Sequence, residues 1–188
     1  MRQLIRINIL IQIGIFTLFT ILLFPQVNDL RVDYFTVDQG LSQNQVLCIY
    51  EDSKGLLWIG TQDGLNLYDG YKFKVFRHEP GNTNSLLDYA VNTVCETDTG
   101  IFWIGTRAGL SRYDLRSGKF IHYVHNPDSS NSLVDNYVWE VLKDSEGNLW
   151  IGTKNGLSLF NPSTKFFTNY KHDPSASNSI SHNFILSL

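Results

Sequence analysis

Three histidines, His78, His125 and His172, recur at intervals of 47 residues, heading the loops HEPGNTNSL, HNPDSSNSL and HDPSASNSI. Imidazole is a common metal ligand, but ligands must lie about 2 Å from one ion, and equivalent loops of a repeat stand far apart. These histidines read as loop residues, hydrogen-bonded or solvated. Trp58, Trp103 and Trp150 offer the aromatic faces that stack on sugar rings. Their recurrence at one position of every unit marks them as packing residues instead. Glu51-Asp52 and the acidic stretch from Glu96 to Asp98 lack the D-x-[DN]-x-[DN]-G order of a calcium loop and fall in four-residue turns. Gly40-Leu41-Ser42, Gly109-Leu110-Ser111 and Gly156-Leu157-Ser158 begin a nucleophile elbow without its closing glycine. No phosphate loop or dinucleotide fingerprint is present. Cys48 lies ten residues before Trp58 and Cys95 eight before Trp103, so the two are not equivalent and read as free buried thiols rather than a bridge. The sequence therefore predicts no catalytic group, no metal and no cofactor.

The elements that position these residues are set by the repeat itself. LLWIGTQDGLNLYDGYKF, IFWIGTRAGLSRYDLRSGKF and NLWIGTKNGLSLFNPSTKFF align on their tryptophans, 45 and 47 residues apart. The two-residue difference falls in one hairpin, Asp69 to Phe73 against Asp114 to Phe120, where an insertion is tolerated. Each unit reads as four short strands, in the first case Val46 to Glu51, Leu57 to Thr61, Leu65 to Tyr68 and Phe73 to Arg77. Turns with glycine at Gly55, Gly100 and Gly147, then at Gly64, Gly109 and Gly156, separate them. Continuous apolar strands such as LWIG predict burial on both faces, which a sheet achieves when stacked between two others. Four strands per unit stacked radially describe a β-propeller blade.

Composition agrees. The chain has 188 residues, 43% hydrophobic and 13% aromatic, with Ala only at 90, 108 and 176, which favours strands over helices. A net charge of −3 excludes binding to a nucleic-acid backbone. Arg2 and Arg6 precede an apolar run over residues 7–24 with no small-residue cleavage site after it. This predicts a signal peptide or retained signal anchor over 1–24 and export of the chain beyond it. The expected fold is all-β: a partial propeller of about 3.5 four-stranded blades over 30–188, following an N-terminal hydrophobic signal or anchor helix. Its blades are expected over 41–77, 86–123 and 133–170, with a closing outer strand over 32–37 and the start of another blade over 180–188. Fewer blades than close a ring imply a piece of a longer protein with apolar open edges.

The motif L-W-I-G-T-x-x-G-L-x-x-[YF]-[DN], with the preceding E-D-S-K-G of 51–55 and the N-S-L/I linkers, resembles the two-component regulator propeller repeat. The opening Tyr34-Phe35-Thr36-Val37-Asp38-Gln39-Gly40-Leu41-Ser42 is similar to the start of the periplasmic sensor half of hybrid two-component regulators. The resemblance implies a non-catalytic sensor on the periplasmic side of the bacterial inner membrane, recognising a glycan-derived oligosaccharide and coupled to a downstream histidine kinase. The expected partners are the remaining blades of the same protein, a second copy of the receptor and, through the N-terminal segment, the membrane, with no nucleic acid among them. A stand-alone exported propeller scaffold, or a propeller lyase or hydrolase, is the alternative.

A ligand site is expected where side chains break the repeat. The blade linkers and the second-to-third-strand turns share one face of a propeller. On it lie Tyr89, Asn136 and Asn183 at the inner-strand starts and Gln62, Arg107 and Lys154 in the turns. Trp139 stands where other units have Leu47, Asn92 and Leu186; core filling is its stronger reading and a ligand contact the alternative. Tyr89, Arg107, Asn136, Trp139 and Lys154 are the candidate ligand residues.

Overall fold

In a computed structural model, residues 33–188 are described. The apolar run over 7–24, and with it the leader assignment, lies outside them. Among the described residues, no helix is long and apolar enough to cross a membrane. Strands β1 (Val46–Glu51), β2 (Leu57–Thr61), β3 (Gly64–Tyr68) and β4 (Phe73–Phe76) form the first sheet, in chain order. The second holds β5 (Val91–Asp98), β6 (Ile101–Thr106), β7 (Leu110–Asp114) and β8 (Lys119–Tyr123). The third holds β9 (Val138–Lys143), β10 (Leu149–Thr153), β11 (Gly156–Asn161) and β12 (Phe166–Tyr170). All neighbouring pairs are antiparallel. The result is an all-β, unclosed β-propeller of three complete blades within the unit Phe35–Leu188.

Two segments depart from the strands expected of them. Over 33–36 no strand forms, and Val37–Gln39 is a short 3-10 helix capped by Thr36, whose side chain accepts from the Asp38 amide. An outer strand needs a ladder partner, and the blade this one was expected to complete is not among the three sheets. Phe35 instead packs on Tyr68 and Phe73, at centroid distances of 4.8 and 5.6 Å. Residues 180–188 carry no strand either, although the Ile185 amide donates to the Thr153 carbonyl at 3.0 Å, beside the third blade.

The W-I-G glycines explain how the blades stack. A Cβ on Gly60 would lie 2.7 Å from the Val91 carbonyl oxygen and 2.5 Å from Cys48 Sγ. On Gly105 it would meet Thr93 Cγ2 at 2.5 Å and Val138 Cγ1 at 2.6 Å, and on Gly152 it would meet Ile185 Cγ2 at 2.9 Å. Val91, Val138 and Ile185 are one position of successive units, so each glycine is the slot into which the next inner strand fits. Close approach, rather than backbone freedom, selects glycine here.

Trp58 and Trp103 each bridge two blades in the same way. Trp58 is fully buried between Phe76 of its own sheet, at 5.8 Å, and Phe102 of the next, at 4.1 Å. Trp103 lies between Tyr123 at 5.5 Å and Phe160 of the third sheet at 5.3 Å. Trp150 stacks on Tyr170 of its own sheet and is only half-buried, the third blade having no following sheet among the described residues. A buried indole N–H needs an acceptor, and the first hairpin of each blade supplies one. Trp58 donates to Asp52 Oδ2 at 2.9 Å, Trp150 to Asp144 Oδ2 at 3.2 Å and Trp103 to Thr97 Oγ1 at 3.2 Å. Asp52 also accepts the Lys54 and Leu56 amides, so one carboxylate closes the turn and fixes the ring. The acidic turns are thus structural.

Neighbouring blades are also laced together by their loops. Glu96 accepts from the Ser53 amide of the preceding blade and from Gly100 of its own, both at 2.7 Å, and the Lys143 ammonium donates to the Thr97 carbonyl. On the linkers, Asn84 and Asn131 of the N-S-L motif accept the Phe120 and Phe167 amides of the following outer strands, at 2.9 and 2.8 Å.

Two substitutions test this packing by urea unfolding. Gly105→Ala is expected to cost about 1–3 kcal/mol, because its methyl must displace both Thr93 and Val138. Asp52→Ala, which strands two amides and an indole, is expected to cost about 1–3 kcal/mol. Unchanged midpoints would show that the slot and the turn are not what hold the blades.

Candidate functional site

The three inner strands share an irregularity. In β1 the register slips between Val46 and Cys48, in β5 between Val91 and Thr93, and in β9 between Val138 and Glu140. The extra residues are Leu47, Asn92 and Trp139. A bulge leaves its residue unpaired in the ladder and re-aims the side chain. All three, together with Leu186, line a cleft of about 420 Å3 along the inner strands. The position at which Trp139 breaks the repeat is therefore the bulge position of every blade. Asn92 spans two blades there, its amide donating to the Val138 carbonyl at 2.7 Å.

Around Trp139 the structure brings several candidates together through a residue that sequence reasoning passed over. The Tyr137 ring lies 4.6 Å from that of Trp139 and has the exposed Arg107 guanidinium 5.9 Å over its face. Phe184 meets Trp139 edge-on at 5.7 Å. The Lys154 amide donates to the Tyr137 carbonyl at 3.0 Å, which sets the exposed Lys154 in the turn beside the same strand start. Arg107, Tyr137, Trp139 and Phe184 form a line from the linker-and-turn face into the inner-strand cleft. Tyr137 was legible as a site residue by the rule that picked out Trp139, since its equivalents are Gln45, Ala90 and Phe184. The Trp139 indole N–H is buried and is the one buried side-chain polar atom among the described residues without a hydrogen-bond partner.

Asn136 and Tyr89 are placed differently. The Asn136 carbonyl oxygen accepts the His125 amide at 2.6 Å, and Asn183 does the same for His172 at 2.7 Å. Asn44, two units before Asn136, accepts the Val37 amide at 2.9 Å. This asparagine fastens a linker, and its variant Tyr89 packs edge-on against His78 at 5.0 Å, in a different linker from Tyr137. His78, His125 and His172 each direct Nδ1 at a carbonyl of their own linker, Leu86, Leu133 and Ile180, at 2.6–2.7 Å. A carbonyl only accepts, so each Nδ1 carries the proton, and the three rings brace three separate loops. Among the described residues, no group of three metal-ligating side chains is gathered. Cys48 and Cys95 are free thiols on neighbouring inner strands. Burial pushes the Cys48 thiol, in the cleft wall, up to about 11, which leaves it protonated and unreactive at neutral pH.

The arrangement offers a cation, aromatic faces and a polar-edged cleft, which suits binding. The family described as "Two component regulator propeller" matches residues 40–63 and 132–155, which cover the first hairpin of two blades. Histidine kinase P4 from Formosa agariphila is 40% identical over 72 residues, 38% of this chain and 5% of that protein. The extracellular domain of the hybrid two-component system BT3049 from B. thetaiotaomicron superimposes with a TM-score of 0.74 at 28% identity, covering 82% of this chain and 22% of that one. That of BT4673 from the same organism gives 0.69 at 25% identity, over 86% and 21%. The chain thus spans about a fifth of the solved domains that it resembles, which are extracellular domains of hybrid two-component systems. The chain is similar to the two-component regulator propellers in the first hairpins of two blades and, over most of its length, to extracellular domains of two-component systems.

Proposed function

We propose that this propeller is the ligand-binding part of a periplasmic receptor that passes its signal to a histidine kinase. The observation that carries the reading is the exposed Arg107 guanidinium seated over Tyr137, continuous through Trp139 with the inner-strand cleft. Aromatic faces edged by hydrogen-bonding groups fit the alternating apolar faces and hydroxyl rims of an oligosaccharide, and a glycan-derived fragment is the proposed ligand class. Arg107, Tyr137, Trp139 and Lys154 are assigned to ligand contact. Asn136 and Tyr89 are assigned to holding the linkers that frame the site. Support for the kinase partner comes from the similarity to Histidine kinase P4 and to the hybrid two-component extracellular domains. Further blades of the same protein would cover the half-buried Trp150 face. Attachment to the inner membrane through the apolar run over 7–24, and pairing of two receptors, complete the reading.

Arg107 and Lys154 are both exposed, so removing their side chains leaves the core intact. In the full-length receptor, Arg107→Ala combined with Lys154→Ala is expected to raise the oligosaccharide concentration for half-maximal reporter induction by about tenfold or more. Induction at the wild-type concentration would overturn the assignment of this face.

A further inference from the structure

One seam of the fold breaks the packing rule that the repeat sets. In each blade the tryptophan of the second strand is paired across the sheet with a residue of the third strand. That residue is Leu67 beside Trp58 and Leu159 beside Trp150. In the second blade it is Arg112, paired with Trp103 on one side and Ile121 on the other. A leucine completes the apolar cover, as Leu67 does against the core shared by the first two blades. Arginine instead places a half-buried guanidinium at the seam between the second and third blades. Its stem covers the indole as leucine would, but its charge has no part in that packing.

A second cation reaches the same seam against the preference of its backbone. The hairpins from β7 to β8 and from β11 to β12 are built alike. The Gly118 amide donates to the Asp114 carbonyl and the Lys165 amide to the Asn161 carbonyl, both at 2.8 Å. Both residues are left-handed, with φ of 68° and 57°. Glycine adopts that conformation freely, whereas a residue with a side chain is strained there. Among the described residues, Lys165 is the one residue other than glycine that does so. Lys165 and Pro162 of the third blade, with Trp103, Arg112, Ile121 and Tyr123 of the second, enclose a hollow of about 330 Å3. No aspartate or glutamate among the described residues lines it. Among these residues the Arg112 guanidinium and the Lys165 ammonium have neither a hydrogen bond nor an ion pair. Asp114, two residues along β7, feels the Arg112 charge. Its carboxylate, however, accepts the Arg116 and Ser117 amides, and it lines a different hollow.

We propose that this hollow is an oxyanion site, which takes a carboxylate, sulfate or phosphate group between Arg112 and Lys165. The planar guanidinium fork matches two oxygens of such a group, and the lysine supplies a second charge on a flexible stem. A half-buried charge without a counter-charge is unfavourable, and a bound anion removes that penalty. Other blades hold leucine and glycine at these two positions, the choices that packing and backbone favour, so the two cations are explained by what they bind. The remaining walls, Trp103, Ile121, Tyr123 and Pro162, leave more room than a bare ion fills and suit an oxyanion carried on a ring, as in an acidic sugar. The site is distinct from the Arg107 face. Lys165 lies in a third-to-fourth-strand hairpin, whereas Arg107 and Lys154 lie in second-to-third-strand turns at the other end of the sheets.

The other blades supply the test variants. Arg112→Leu and Lys165→Gly each restore the residue found at the same position of another unit, so both are expected to fold with unfolding midpoints at or above that of the parent. Thermal unfolding and tryptophan fluorescence of the whole 188-residue chain are titrated with sodium sulfate, sodium glucuronate and glucose, with sodium chloride holding the ionic strength constant. Sulfate and glucuronate are expected to raise the midpoint and to saturate, and glucose to do neither. Each variant is expected to weaken the anion affinity about tenfold or more. Glucuronate binding tighter than sulfate assigns the oxyanion to an acidic sugar, and sulfate binding at least as tightly assigns it to a free inorganic anion. Sulfate also strengthens burial in any protein, so stabilisation that survives in both variants overturns the site. Anions that do no more than chloride overturn it as well. Neither result depends on the response of the Arg107 face to oligosaccharide.

Discussion

The fold rests on a pair of atoms in contact across blades: the α-carbon of a W-I-G glycine and the first residue of the next inner strand. A four-stranded sheet of such short strands cannot bury both faces by itself, and the five- and six-residue W-I-G strands are apolar on both. Burial must come from the neighbouring sheets, so the distance between inner strands decides whether the tryptophans can be shared. Gly60 and Gly105 set that distance to less than one Cβ, and at that spacing Trp58 reaches Phe102 and Trp103 reaches Phe160. The turn aspartates, the glutamate bridge of Glu96 and the N-S-L asparagines then satisfy polar groups at the ends of sheets whose positions are already fixed.

Strands and turns were legible in the sequence because the repeat supplies its own alignment. Three copies of one pattern show which positions are constant, and constancy across units is a packing requirement. The first blade accordingly forms within a residue of the strands read from Val46 onward. The segment over 32–37 was less legible, because its apolar alternation suits a strand only where a ladder partner exists. The bulges were invisible. Leu47, Asn92 and Trp139 share no residue type, and a bulge shows only when two strands are laid side by side in register.

The candidate site illustrates both sides of this. Arg107, Lys154 and Trp139 stand out as departures from the repeat, and they converge on Tyr137, an equally clear departure hidden among the apolar residues that lead into β9. Asn136 reads as variable only when it is compared with Tyr89 alone. Asn44 and Asn183 show that asparagine is the rule there and that Tyr89 is the exception. A polar side chain on an exposed face can equally be a clamp, and only its hydrogen-bond partner separates the two roles.

Constancy and variation are therefore divided by geometry. The positions that touch the next blade, the glycine slots and the bridging tryptophans, accept little change, since any gain in volume is transmitted to the neighbouring sheet. The bulge residues and turn tips lie outside that contact. Leucine, asparagine and tryptophan replace one another at the bulge, and glutamine, arginine and lysine at the turn, without altering the strands that carry them. Asn92 marks the point where the two sets meet, for it is a bulge residue whose amide binds the Val138 backbone of the next blade. Under the proposed reading, a ligand that engages the Tyr137–Trp139 aromatics therefore acts on β9, the strand that Asn92 ties to β5. Occupancy of the cleft is thereby coupled to the seam between the second and third blades, which is the kind of contact a receptor needs if binding is to be felt beyond the site.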